Sequence, residues 1–176
     1  MTTRKIILYI AMSLDGYIAD KEDDLSFLDI VNKKGEDYGY SDFLNSIDTV
    51  ITGRRTYDWV IDKIGELPNK NLNYYVITRN PQANSENIVF FNGNICNLVG
   101  ELKNIHGKNI FLEGGGQIVS QFLKNKLIDE FIISVIPIIL GNGIRLFTEN
   151  YPKNELNLIS FKAFDTGLLK VHYVRK

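Results

Sequence analysis

Short β-branched runs alternate with segments of helical spacing along most of this 176-residue chain, and few folds can accommodate that alternation. Lys5–Ile10 (KIILYI) is apolar on both faces, as a strand covered from both sides must be. Leu25, Leu28 and Val31 keep helical spacing briefly, and Tyr40, Phe43, Leu44 and Ile47 mark a helix over Glu36–Ile47. A strand at Thr49–Thr52, a helix at Arg54–Ile64 and strands at Asn73–Thr78 and Asn87–Phe91 follow. Next come a helix at Ile95–Ile105, a strand at Lys108–Leu112 and a helix at Ile118–Leu123. The pattern then turns to strands alone: Glu130–Ile136, Glu155–Phe164 and Leu168–Val174, with Asp165-Thr166-Gly167 as a hairpin turn. Such an order predicts one α/β domain over residues 1–176, a mainly parallel sheet flanked by helices with an antiparallel C-terminal edge.

Charge and cysteine content narrow the chemistry. Lys plus Arg (20) nearly balances Asp plus Glu (21), so no global field favours nucleic acid or an anionic membrane. A phosphate-bearing ligand must therefore meet a local site. A single cysteine, Cys96, leaves no disulfide framework, and two distant histidines, His106 and His172, suggest no metal centre. The apolar run Ile6–Met12 is interrupted at Ser13 and Asp15 and is read as a strand rather than a signal peptide. No run approaches the roughly 20 apolar residues of a membrane span. The expectation is a cytoplasmic protein acting on a small molecule.

Ligands in open α/β sheets gather at the carboxyl ends of parallel strands, and three features lie at such ends. Gly114-Gly115-Gly116 separates a strand from a helix, where bare backbone and unpaired N–H groups suit a phosphate; a flexible turn is the plainer alternative. Gly53-Arg54-Arg55-Thr56-Tyr57 also follows a strand and opens a helix. Two cations at a helix N-terminus oppose the macrodipole unless something negative sits there, which favours an anion over idle surface charge. Thr78-Arg79 ends a third strand, where a hydroxyl and a cation suit a further phosphate or merely face solvent.

In order, Ala11-x-Ser13-Leu14-Asp15-Gly16, Thr52-Gly53-Arg54-Arg55-Thr56-Tyr57, Val76-Ile77-Thr78-Arg79-x-Pro81 and Glu113-Gly114-Gly115-Gly116-x-Ile118 resemble the cofactor site of the dihydrofolate reductase superfamily. The resemblance implies a three-layer α/β/α fold and NADPH as cofactor. It implies that Gly53, Arg54, Arg55 and Thr56 meet the cofactor phosphates, and that Thr78 and Arg79 meet the adenosine 2′-phosphate. Gly114, Gly115, Gly116, Gln117 and Ile118 would approach the pyrophosphate, and Ala11 would line the nicotinamide pocket. The Ser13–Gly16 run, Glu113, and Ile128-Asp129-Glu130-Phe131 followed by Leu140-Gly141-x-Gly143 are more similar to the reductase domain of riboflavin biosynthesis (the RibD C-terminal domain) than to dihydrofolate reductases. That family reduces a phosphoribosylamino-pyrimidine and is dimeric, which implies a homodimer here.

For catalysis, Ser13 is the candidate to hydrogen-bond substrate or nicotinamide, and Asp15, Asp37 or a water is the candidate proton donor. Asp-Gly turn chemistry also explains Asp15, and a helix N-terminal acid explains Asp37; as a pterin-holding carboxylate, Asp37 would instead favour dihydrofolate reductase activity. Two rivals to a reductase are an NADPH-binding protein without efficient catalysis and an oligomer-forming module that pairs through Phe131–Leu140.

Overall fold

The structure, a computed structural model, describes residues 4–176. Strands β1 (Ile6–Ser13), β3 (Ile47–Gly53), β4 (Asn73–Ile77), β5 (Ile88–Phe91), β6 (Asn109–Gly114), β7 (Glu130–Ile136), β9 (Leu156–Ala163) and β10 (Leu169–Arg175) form one sheet in the order β5-β4-β3-β6-β1-β7-β10-β9. From β5 to β7 every pairing is parallel; β7–β10 and β10–β9 are antiparallel. A second, two-stranded sheet pairs β2 (Tyr17–Ala19) with β8 (Ile144–Arg145). The sequence pattern does not reveal these two strands, because each is too short to show a period.

Helices cover both faces. On one, α3 (Ile95–Asn104) and α4 (Gly116–Lys124) pack Leu98, Val99, Leu102, Val119 and Phe122 onto Ile6, Leu8, Ile110 and Leu112. On the other, α1 (Tyr40–Asn45) and α2 (Arg54–Ile64) pack Phe43 and Val60 onto Ile7, Val50, Tyr74 and Phe111. Alternate residues of β1, β3 and β6 thus enter different cores, which is why these strands read as unbroken apolar runs. Among the described residues no helix is long and apolar enough to cross a membrane.

The predicted helix over Glu36–Ile47 is shorter than its apolar spacing suggests. Tyr38 and Gly39 take left-handed backbone (φ 56 and 78), so the helix starts at Tyr40, and Ile47 already belongs to β3. The Leu25–Val31 segment is a 3-10 helix over Ser26–Val31 that buries Phe27 and Val31. Strand β1 runs three residues beyond its predicted end, which places Ala11 and Ser13 on the strand itself. The Phe131–Leu140 run begins in β7, between β1 and β10, with Phe131, Ile133 and Ile136 buried, so β7 offers no free edge for pairing. Edge strand β9 carries exposed apolar side chains, with Leu158 and Phe161 51% and 68% exposed.

Phe122 of α4 is fully buried at the centre of the larger core. Phe122→Ala should cost about 3–5 kcal/mol of stability, measurable as a lowered midpoint in urea unfolding.

Candidate active site

The chain leaves β1 for β3, runs outward to β4 and β5, and returns through α3 to insert β6 between β3 and β1. Because α2 follows β3 on one face and α4 follows β6 on the other, two helices start at adjacent strand ends from opposite sides. A cleft of about 1260 Å³ opens there, larger than the roughly 300–1,000 Å³ of ordinary single-ligand pockets. It runs along the carboxyl ends of β5, β4, β3, β6 and β1. At about 4.8 Å per strand, Arg79 after β4 and Ala11 on β1 lie three spacings apart, roughly 14 Å.

The middle of the cleft is built for an anion. The N-caps of α2 and α4 are Gly53 and Gly115; neither helix has a side-chain cap or an acidic residue in its first turn. Each N-terminus therefore directs unmet N–H groups and about half a positive charge at the same space. By contrast, α3, which starts off this junction, is capped by Asn94. The two termini are joined directly: Gly115 N donates to Thr56 Oγ1 at 2.9 Å, leaving the Thr56 hydroxyl proton free. A Cβ on Gly53 would stand 2.8 Å from Ile118 Cγ1, and one on Gly116 would stand 2.3 Å from the Arg145 carbonyl oxygen. Close approach, more than loop flexibility, explains these glycines.

The cations differ in availability. Arg54 Nε donates to both carboxylate oxygens of Asp58, at 2.7 and 2.8 Å, and the guanidinium lies 5.7 Å from the Phe90 ring centre. One edge is thus fixed while its terminal nitrogens make no hydrogen bond among the described residues. Arg55 is turned to Asp23 at 2.5 Å. Asp58 and Asp23 are the negative charges that the paired arginines at this helix start call for, and the chain itself carries them. Arg79 is exposed at the far rim with no ion pair among the described residues, next to Thr78, whose hydroxyl accepts from Asn80 N at 3.1 Å.

Of the predicted cofactor residues, Ala11, Gly53, Arg54, Arg55, Thr56, Thr78, Arg79, Gly115, Gly116, Gln117 and Ile118 all line the cleft. Gly114 does not: it is buried as the last residue of β6, with φ +105.

The predicted catalytic residues are not brought to the cleft. Ser13 is fully buried; its hydroxyl donates to Asp15 Oδ1 at 2.6 Å and accepts from Tyr17 N at 2.9 Å. Asp15 also accepts from Leu140 N at 3.1 Å and Gly141 N at 2.7 Å, and these bonds, the Ser13 one foremost, lower its pKa. Asp37 accepts from Gly39 N and Ser41 N at the entry to α1; hydrogen bonds from Ser41 above all, then from Gly39, pull its pKa to about 2. Both carboxylates are ionised anchors of backbone turns and have no proton to give near neutrality.

Of the carboxyls that line the cleft (Asp23, Asp58, Asp62 and Glu113), Glu113 stands at the end of β6. Burial raises its pKa, against an opposing hydrogen bond with the Thr52 side chain. One clue was visible in sequence: an acid ending the apolar run Ile110–Leu112, whose three residues are buried in the core. The apolar walls beside it, Ile18 of β2, Leu25, Leu28 and Trp59, come from segments that no single motif joins.

The sequence profile of the RibD C-terminal domain matches residues 4–170. The chain belongs to the RibD C-terminal domain family. Uncharacterized protein YwjB of Bacillus subtilis (strain 168) is 42% identical over 173 residues, 98% of each chain. The crystal structure of "Putative riboflavin biosynthesis protein" from Shewanella sp. PV-4 is 31% identical with a TM-score of 0.85, covering 98% of this chain and 99% of that one. Dihydrofolate reductase from Enterococcus faecalis, complexed with NADP(H) and RAB-propyl, is 14% identical with a TM-score of 0.66, covering 98% and 96%. This member of the RibD C-terminal domain family therefore has the dihydrofolate reductase-like fold that its motifs imply.

Because the raised pKa lets native Glu113 keep its proton to a higher pH than the unfolded chain, its ionisation costs stability as pH climbs from the ordinary carboxylate range through the raised value. Glu113→Gln should match the parent in Tm at pH 4 and exceed it at pH 8, read by thermal unfolding across pH.

Proposed function

We propose that the chain is an NADPH-dependent reductase acting on a pteridine- or pyrimidine-type heterocycle. The observation that carries this reading is the meeting of two uncapped helix N-termini, those of α2 and α4, at one cleft. Membership in a reductase-like family supports it. In this reading Arg54, Thr56 and the backbone N–H groups of Gly116 and Gln117 hold the diphosphate. Thr78 and Arg79 hold the 2′-phosphate, the one additional group that separates NADPH from NADH. Ala11, Ile18 and Ala19 enclose the nicotinamide and keep water from it.

When bound, the cofactor supplies a hydride, two electrons with one hydrogen, to an electrophilic carbon of the substrate and leaves as NADP⁺. The substrate heteroatom then needs one proton. Glu113, whose pKa burial raises, holds that proton at the β1 end of the cleft and regains it from solvent after each turnover. Burial of a carboxyl to retain an acid at neutral pH is a common catalytic device. Ser13 and Asp15 act one step back, tying the end of β1 to the 138–141 segment.

Two measurements test the reading. Arg79→Ala should weaken NADPH binding by roughly 10- to 100-fold, the loss of one or two charge-assisted contacts, with NADH binding nearly unchanged; Arg54→Ala should weaken both. Equal losses of the two cofactors in Arg79→Ala would remove the 2′-phosphate assignment. With a substrate that turns over, Glu113→Gln should lower kcat by about 10²–10⁴-fold. It should also abolish the fall in rate that the parent shows as pH rises through the Glu113 pKa, read from a pH–rate profile.

A further inference from the structure

The two ends of the cleft carry opposite charge. At the β4 end the free cation is Arg79; at the β1 end a groove opens between the 3-10 segment and α2, walled by Leu25, Leu28 and Trp59. The arginine nearest this groove, Arg55, is bound by Asp23, whose carbonyl also accepts the Trp59 indole N–H at 3.0 Å. Asp62, one helical turn beyond Asp58, also lines the cleft, with no ion pair among the described residues, and so does Glu113, at the end of β6 next to β1. The loop that bears Asp23 adds Asp20, Glu22 and Asp24. A phosphate entering here would meet carboxylates and no uncommitted guanidinium.

We propose that this groove takes an unphosphorylated, planar nitrogen heterocycle, neutral or protonated, and discriminates against its sugar-phosphate conjugate. This rests on the reading of the cleft as an NADPH site, which places the substrate at the β1 end. Flat apolar walls and the Trp59 ring suit an aromatic ring. A carboxyl that holds its proton offers one donor and one acceptor side by side, the pattern complementary to a ring edge carrying N–H beside C=O or N. Burial of Glu113 supports that protonated form. Asp23, bonded to Arg55, holds that cation away from a substrate phosphate; Lys21 and Lys63 stand beside Glu22 and Asp24, and with Asp20 and Asp62 the carboxylates remain in excess at the mouth.

Trp59, the sole tryptophan, lines the groove, so its fluorescence reports binding in the full-length protein. NADPH is titrated first, and the loaded protein then receives either the phosphoribosylamino-pyrimidine or the same compound after phosphatase treatment. The expected result is binding at least tenfold tighter for the dephosphorylated compound, a difference of about 1.4 kcal/mol. Asp62→Asn should narrow that ratio about threefold and leave the NADPH Kd unchanged, and high salt should narrow it too. Equal or tighter binding of the phosphorylated compound overturns the proposal, as does the absence of binding by both. If NADPH itself fails to bind, the reductase reading falls separately, and the same pair titrated into the protein alone still decides what the groove prefers.

Discussion

The hydrogen bond from Gly115 N to Thr56 Oγ1 joins the starts of two helices that lie on opposite faces of the sheet, and the site is organised around that contact. It exists because β6 inserts beside β3, so that the loop after each strand emerges at the same place. With Ile118 against Gly53, and Gly116 against the Arg145 carbonyl, neither helix can move without the other. The dipoles of α2 and α4 reinforce each other at one point. Concentrating two positive ends costs stability in the absence of a counter-charge, and local strain or unmet polarity of this kind is retained where a ligand answers it.

Charge is graded along the cleft from this junction. Toward β4 it is positive and uncommitted at Arg79. At the centre it is positive but oriented, since Asp58 fixes one edge of Arg54 and leaves its terminal nitrogens without a hydrogen bond among the described residues. Toward β1 it turns apolar and acidic, and the Arg55 guanidinium is paired with Asp23. A long ligand with phosphates at its middle and one end, and a flat ring at the other, fits that gradient in one direction only. Carboxylates next to arginines therefore serve here to aim cations and to set the polarity of the cleft; exposed ion pairs of this type add little stability.

Much of the sheet was legible because its strands are buried on both faces, which makes β1, β3, β6 and β7 stand out as apolar runs. α2 and α3 carried clear helical periods, and β7 fell on Glu130–Ile136 as expected. The error at Glu36–Ile47 came from spacing that continued through a turn: Phe43, Leu44 and Ile47 face one core whether the backbone is helical or about to become a strand. Ser13, Asp15 and Asp37 looked catalytic because short polar residues beside glycine serve turns and sites alike. Their hydrogen bonds assign them to turns. Glu113 shows the reverse case, since an acid after a run of core residues signals chemistry only once its neighbours are known to exclude water.

The amino-acid sequence alone determined the fold class, the identity of the glycine-flanked helix starts and the family, because each depends on residues close together in the chain. Tertiary structure decided which of those starts face each other, which arginine makes no ion pair among the described residues, and which carboxyl has its pKa raised by burial. Those properties depend on distance and burial between residues such as Thr56 and Gly115, or Arg55 and Asp23, that the chain separates by dozens of positions. Local spacing encodes a backbone conformation, whereas charge state and ligand access arise only when the sheet order brings remote segments into one low-dielectric cleft.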